Sequence, residues 1–378
     1  MKFVIAPDKF KGSLSGMEFC EAVAAGIKMI FPNALILEKP LADGGDGTLE
    51  VVRRYLNASE VYVTVNDPLV RKIKAKYLLS EDKRTAYIEM SEASGYKLLT
   101  KAEMNCMYTT SMGTGELIAD ALEKGAKTII LGIGGSATND GGMGMATALG
   151  YRFLDKNGNE IKPEGKNLGY VNKIDTKEVN EKLSQVEFKI ACDVTNPFYG
   201  EDGAAKIYGP QKGASLDEVE LLDRGLVHFA SVIQDTFGID VQKISGAGAA
   251  GGMGGGTKVF LDAELTSGID LVMEMANFDQ DVCGADWIIT GEGQLDHQTL
   301  SGKTIIGVLK SAKVKKIPVA AFCGTVAISI PEIKAMGLRY AVSILNKIRN
   351  LEEAKMDSFK NLELAAYNFA SLLKSDLN

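Results

Sequence analysis

The sequence predicts an α/β protein of two domains, one of them assembled from both ends of the chain. Three observations predict it. Short apolar runs alternate with amphipathic helical patterns before Val61 and again after Asp286, the βαβ texture of a mostly parallel sheet. Between them, VYVTV, IKAKYLL and TAYIEM are β-rich runs separated at Asp67-Pro68 and at residues 80–83, the pattern of an antiparallel meander. Residues 128–150, TIILGIGGSATNDGGMGMATALG, read as a buried strand, a glycine turn and a helix. The expected boundaries are 1–64 with 286–378 for the discontinuous domain, and 65–285 for an inserted α/β domain that carries the glycine-rich loops.

Composition narrows the function. The chain has 378 residues, 46% hydrophobic and 24% charged, the profile of a soluble globular protein. A net charge of -7 argues against a general nucleic-acid or anionic-membrane binder. No run approaches the length of a membrane span, and MKFVIAPDKFK has too short an apolar run for a signal peptide, so a cytoplasmic protein is expected. The 5 cysteines are scattered, with no CxxC, and read as reduced thiols. With 2 histidines and no clustered cysteine, zinc is disfavoured. Acid–base work then falls to Asp, Glu or Lys, and a metal would be a hard cation such as Mg²⁺ on oxygen ligands.

In chain order, residues 2–6 form a strand ended by Pro7 and Asp8. Lys9, Lys11, Gly12 and Ser13 follow in a loop, and a helix starts where Ser15 and Glu18 are spaced as a capping box. Asp8, Lys9, Lys11 and Ser13 thus sit at the carboxyl end of a strand, where open α/β sheets place ligands. The plainer reading is a solvated loop. Residues 34–37 form a second strand leading to ADGGDGT at 42–48, with Asp43 and Asp46 among glycines before a helix. After the meander, an amphipathic helix over 112–124, ended by Gly125, feeds the central strand.

Beyond that strand, Gly132, Gly134 and Gly135 precede Ser136, Thr138, Asn139 and Asp140, and then Gly141, Gly142 and Gly144. This layout holds a phosphate: glycines let backbone N–H groups approach an anion, and the helix N-terminus adds partial positive charge. A tight connection with no ligand is the alternative. Residues 186–191 alternate into a strand that delivers Asp193 and Asn196-Pro197. YGPQKG at 208–213 is a turn bearing Lys212. Ser215 and Glu218 cap a long helix to Phe237, stopped by Gly238, with His228 packed or solvated within it. The glycine-rich 245–256 is either a flexible hinge or a second backbone cradle for anions. Strand 286–290 leads into GEGQLDHQT and SGKT, then a helix from Ile305, a strand at 319–323, a short helix, a strand at 340–345 and a C-terminal amphipathic helix.

Some of these patterns have lookalikes. Gly132, Gly134 and Ala137 fit the GxGxxA of a dinucleotide fold, with Asp155 about 20 residues on, although the loop runs longer than such a turn. Gly302-Lys303-Thr304 ends like a P-loop, but His297 stands where that motif needs Gly. An NAD-dependent oxidoreductase of a small hydroxy acid, and a non-catalytic small-acid binding protein, therefore stand as alternatives.

Taken together, APDKFKGSLS at 6–15, ADGGDGT at 42–48, GIGGSATNDGG at 132–142, ACDVTNPFYG at 191–200 with YGPQKG at 208–213, and TGEGQLDHQTLSGKT at 290–304 resemble the motifs of the type 1 glycerate kinase family. GAGAAGG at 246–252 belongs to the same pattern. Lys9 stands where the family more often has Ser, and Asp46 where it more often has Glu. The resemblance implies an ATP-dependent kinase that phosphorylates D-glycerate at the 2-hydroxyl to give 2-phosphoglycerate. It also implies two α/β domains with the active site in the cleft between them: a restriction-endonuclease-like one built from both chain ends, and a flavodoxin-like insert.

Phosphoryl transfer needs phosphate positioning, charge neutralisation and an oriented nucleophile. On that chemistry Gly134, Gly135, Ser136, Thr138, Asn139, Gly141 and Gly142 are the expected ATP-phosphate loop. Asp193 is the first candidate to bind Mg²⁺ or to take the hydroxyl proton, and Asp296 is the second carboxylate. Lys11 and Lys212 are the cations expected to meet the glycerate carboxylate or the moving phosphoryl group. Asp8, Ser13 and Asp43 are expected on the substrate, and His297 is expected to take no catalytic part. The division of roles among these Asp and Lys residues, and the oligomeric state, stay open. The expected partner is a small-molecule substrate, with neither nucleic acid nor membrane.

Overall fold

The computed structural model describes residues 1–10, 12–43, 48–297, 304–348 and 350–375. They divide into two compact units, Met1–Tyr55 with Ile269–Asn378, and Leu56–Gly268. In chain order the strands are β1 (Lys2–Ile5), β2 (Leu35–Glu38), β3 (Ala58–Asn66), β4 (Lys72–Ser80), β5 (Thr85–Glu89), β6 (Thr128–Gly132), β7 (Arg152–Leu154), β8 (Lys173–Asp175), β9 (Glu187–Ala191), β10 (Glu264–Thr266), β11 (Trp287–Thr290), β12 (Gln294–Leu295), β13 (Val319–Cys323), β14 (Thr325–Val326) and β15 (Tyr340–Ser343).

The discontinuous unit is built on a parallel sheet in the order β15-β13-β11-β1-β2. β1 and β11, from opposite ends of the chain, are direct neighbours, with Val4 paired to Ile288. Phe3, Val4 and Ile5 are fully buried, as a strand covered on both faces requires. The helix Gly16–Ile30 opens on the capping box of Ser15 and Glu18. It packs against the C-terminal helix Ser358–Ser375 across Gly26, where a Cβ would come within 2.4 Å of the Glu363 carbonyl.

The second unit holds a mixed sheet in the order β10-β9-β6-β5-β4-β3. β5, β6, β9 and β10 run parallel, and β3, β4 and β5 form the antiparallel meander on one flank. The unit boundaries differ from 64/65 and 285/286 because pairing and packing decide them. β3 pairs with β4 along its whole length and so joins the second unit. The segment after Ile269 is tied into the first unit, where Lys39 Nζ donates to the Ala276 carbonyl at 2.8 Å. The long helix Leu216–Phe237 has its capping box at Ser215 and Glu218 and stops at Gly238, in the left-handed region at φ 71°. His228 Nε2 lies 2.7 Å from the Val171 carbonyl, a packed role.

The glycine-rich stretch departs from both expectations. It enters a largely buried helix, Ala249–Leu261, whose first turn has left-handed residues at Ala250, Gly251 and Gly252. Gly251 and Gly256 press directly on the loop that follows β6. A Cβ at Gly251 would sit 2.0 Å from the Thr138 carbonyl, and one at Gly256 would sit 2.4 Å from the Gly141 carbonyl. The segment is neither hinge nor open cradle: its missing side chains let two backbones touch.

Among the described residues no helix is long and apolar enough to cross a membrane. The 5 cysteines are all free thiols.

Candidate active site

In the second unit the sheet register lines up one row of residues at the carboxyl edge. Glu89 pairs with Gly132, Gly132 with Ala191, and Ala191 with Thr266. Neighbouring strands lie about 4.8 Å apart, so the segments leaving β5, β6, β9 and β10 emerge side by side. A Cβ at Gly132 would lie 2.7 Å from Glu89 Oε2, so glycine there leaves room for the carboxylate. Tyr87 Oη donates to Glu89 Oε1 at 2.5 Å.

Burial pushes the Glu89 carboxyl up from 4.5 to about 7, with the Tyr87 hydrogen bond opposing and Glu92 adding to the rise. Between those values the folded state holds this proton more tightly than the unfolded chain does. Its contribution to stability is therefore present at low pH and fades as pH rises through about 7. Glu89→Gln removes that dependence, so the variant should gain stability relative to the parent on going from about pH 5 to about pH 8. Urea midpoints of both proteins at the two pH values check this.

The loop after β6 is open only at its start. Gly134 and Gly135 are exposed, Gly135 at φ 71°, and the chain is buried from Ser136 to Asp140. The segment after β5 frames it: Ala137 N donates to the Ser94 carbonyl at 2.9 Å, and Tyr96 N donates to the Gly135 carbonyl at 3.0 Å.

The far half is closed by Asp140, which is fully buried. Its carboxylate accepts from Ser111 N and Ser111 Oγ at 2.7 Å each, from Gly144 N at 3.1 Å and from Gly142 N at 3.2 Å. Gly141 N donates to the Gly251 carbonyl at 3.0 Å. Of the expected phosphate loop, then, Gly141 and Gly142 have their N–H groups engaged inside the fold. The Thr138 hydroxyl and both ends of the Asn139 amide are buried, with no partner among the described residues. Lys212 reaches this turn from beneath, donating to Ser136 Oγ at 2.8 Å and to the Thr138 carbonyl at 2.7 Å.

Asp193 lies two residues past β9, exposed, with Oδ1 accepting from Gly268 N at 2.9 Å. Asp155 does not stand at the end of a strand neighbouring β6, where a ribose-binding acid belongs. It sits in a turn and accepts from Asn157 N and Asn159 N at 2.8 and 2.9 Å.

In the first unit the carboxyl edge gathers another group. Asp8 follows β1; its Oδ2 accepts from Thr304 Oγ1 at 2.8 Å and its N donates to the Gly291 carbonyl at 2.9 Å. A cavity of about 380 Å³ is lined by Asp8 and Lys9 together with Gly16, Leu41, Glu50 and Arg54. Asp43, half-buried, follows Leu41 and Ala42, two of that cavity's walls. Ser13 faces the C-terminal segment instead, with its hydroxyl 2.7 Å from Ser358 Oγ and 3.2 Å from the Lys355 carbonyl. Asp296 follows β12 and is half-buried. His297 is exposed and pairs with Glu332 at 3.3 Å. Lys11, and the Gly302 and Lys303 of the P-loop lookalike, lie outside the described residues.

Among the described residues no group of three or more His, Cys, Asp or Glu is placed to hold a metal ion. Mg²⁺ needs no such cage, since it binds through one or two carboxylates plus substrate phosphates, and the exposed Asp193 fits that mode.

Sequence reading missed Glu89, the Asp140–Ser111 lock and Arg54. The signal for Glu89 was present, a carboxylate ending a strand. The other two depend on contacts distant in sequence or on the shape of a cavity.

The chain matches the model of the glycerate kinase family over residues 3–374. It is 45% identical over 367 residues to a glycerate kinase of Halalkalibacterium halodurans, covering 97% of both chains. It is 43% identical over 373 residues to a glycerate 2-kinase of Escherichia coli, covering 99% of this chain and 98% of that one. A crystal structure from Salmonella typhimurium LT2, described as a glycerate kinase 2, superposes with a TM-score of 0.90 at 42% identity and covers 100% of this chain and 99% of its own.

Proposed function

The chain belongs to the glycerate kinase family, and from that premise we propose that it transfers the γ-phosphoryl group of ATP to the 2-hydroxyl of D-glycerate, giving 2-phosphoglycerate and ADP. The observation that carries this is 43% identity to a glycerate 2-kinase over 99% of this chain. The oxidoreductase reading is set aside, because the family is a kinase family and Asp155 is committed to a turn.

The exposed backbone at Gly134 and Gly135, in front of the buried Lys212, supports a seat for nucleotide phosphates. Asp193 is the carboxylate at that edge that binds Mg²⁺ or takes the hydroxyl proton. Mg²⁺, held there with the nucleotide's phosphate oxygens, would neutralise charge on the transferred group. The cavity beside Asp8 supports a seat for glycerate: Lys9 and Arg54 suit its carboxylate, and Asp8 and Glu50 suit its hydroxyls. Lys11, Asp43 and Asp296 are assigned to the same substrate side, and Ser13 ties the segment after Asp8 to Ser358 and the Lys355 carbonyl. The reduced cysteines fit a cytoplasmic enzyme.

An ADP-release assay with D-glycerate should respond and should weaken without a divalent cation. No release above background from folded protein overturns the activity, and 3-phosphoglycerate in the phosphorus NMR spectrum of the product overturns the regiochemistry.

Gly135→Val tests the phosphate seat. At φ 71° a β-branched residue is strained, and its Cβ would meet Ser91 Cβ at 3.3 Å. Affinity for Mg·ATP should fall roughly tenfold or more, while glycerate affinity changes little. Calorimetric titration of each ligand decides the matter. Unchanged nucleotide affinity would move the seat elsewhere.

A further inference from the structure

We propose that Lys212 is a positioning residue for the nucleotide, acting through the loop it holds from beneath, and that it does not contact glycerate. The proposal rests on reading Gly134 and Gly135 as the phosphate seat.

Lys212 has no free reach. It closes the short turn Pro210–Lys212, and Gly213 after it is left-handed at φ 86°, so close to the backbone that a Cβ would sit 1.9 Å from the Met104 carbonyl. The Lys212 carbonyl accepts from Cys106 N at 3.1 Å. With its main chain pinned, the side chain is 5% exposed and ends on Ser136 Oγ and the Thr138 carbonyl. These are the residues where the exposed half of the loop meets the buried half. Such an ammonium is committed to the inner face. It fixes Ser136, the residue next to Gly135, and puts a positive charge behind the N–H groups that would meet a phosphate.

The charge is weakly compensated. Among the described residues no carboxylate lies within ion-pair distance of Lys212. The charged or titratable groups that face it are the Cys106 thiol and Asp140. Cys106 is pushed up to about 11 by burial and stays neutral at physiological pH. Asp140 has its oxygens on Ser111, Gly142 and Gly144. On the same turn lie the unpartnered Thr138 hydroxyl and Asn139 amide, so the interior behind the loop is polar and incompletely satisfied.

Burial lowers Lys212 from 10.5 to about 8, with Asp140 opposing the fall. A bound polyanion favours the charged form, so nucleotide affinity should fall as pH rises above about 8, whereas glycerate affinity should not follow.

The experiment measures KM for Mg·ATP, KM for D-glycerate and kcat in the parent, Lys212→Met and Ser136→Ala, with calorimetric titration of Mg·ADP, from about pH 7 to about pH 9.5. Lys212→Met should raise KM for Mg·ATP and weaken Mg·ADP by roughly tenfold, with glycerate KM within about twofold, and should flatten the rise in nucleotide KM above pH 8. Ser136→Ala, which removes one of the two acceptors, should show a smaller change in the same direction. If Lys212→Met raises glycerate KM instead, the direct substrate role is restored and the proposal fails. If the variant is folded and neither ligand is affected, Lys212 only packs and the proposal fails. Should Lys212→Met not fold, Ser136→Ala and the parent's pH profile decide, and a parent nucleotide KM flat across the range overturns it. Failure of the activity itself is separate and shows as no glycerate-dependent ADP release from the parent. Failure of the phosphate seat shows as unchanged nucleotide affinity in Gly135→Val.

Discussion

Asp193→Asn is expected to lower kcat by about 10² to 10⁴ while the protein stays folded. The substitution is nearly isosteric and keeps an oxygen at the Oδ1 position, so the hydrogen bond from Gly268 N that anchors the start of the helix Gly268–Met275 survives. What is lost is the negative charge, which is proposed either to hold Mg²⁺ against the phosphates or to accept the hydroxyl proton. The two uses separate in the kinetics. Loss of a metal ligand is partly recovered by raising the divalent cation concentration, whereas loss of a base is not. His297→Gln is the matched control: an exposed residue paired with Glu332 should keep most of the activity. If Asp193→Asn keeps parental turnover, the reacting carboxylate lies elsewhere, and Asp296 is the next to replace.

Asp140→Ala should be the most destabilising single change near the site, by about 3–5 kcal/mol. Its fully buried carboxylate accepts from Ser111 N, Ser111 Oγ, Gly142 N and Gly144 N. Alanine leaves three buried backbone donors without an acceptor and opens a void. Met145 N also loses support, since it donates to the same Ser111 hydroxyl at 2.9 Å. Burial already holds this carboxyl above its ordinary value, with the Ser111 and glycine N–H groups opposing the rise. Asp140→Asn keeps the shape but turns a donor toward donors, and should cost about half as much. Chemical denaturation followed by circular dichroism gives both numbers. A loss under about 1 kcal/mol for Asp140→Ala would mean the lock is redundant.

The elements were largely legible from local pattern. Capping boxes at Ser15 and Ser215, the stop at Gly238, and the strands β6, β9, β11 and β13 all follow from periodicity and from residues whose backbone preferences are strong. The strand, glycine turn and helix over 128–150 were legible for the same reason, because Gly135 sits at positive φ, where glycine is favoured. The function was legible through the resemblance, since motifs spread from Ala6 to Thr304 in one order are hard to meet by chance.

Long-range contact decided the rest. The stretch 245–256 has a glycine content that fits a hinge, a cradle or a close backbone contact equally well. Only the approach of Gly251 to the Thr138 carbonyl and of Gly256 to the Gly141 carbonyl selects the third. Glu89 gains its proton affinity from burial beside Tyr87 and from the space at Gly132, neither of which a linear reading supplies. Lys212 reads in sequence as a cation for the glycerate carboxylate or the moving phosphoryl group. Its turn, 76 residues from Ser136, folds under the loop and buries its ammonium on Ser136 Oγ and the Thr138 carbonyl, the placement from which the positioning role is proposed. Sequence by itself determined which segments are strands, helices and glycine turns, because those choices are settled within a few residues by backbone sterics and apolar spacing. Only the tertiary structure decided which polar groups are left exposed and which are engaged inside the fold, because burial and hydrogen-bond partners come from residues far apart in the chain.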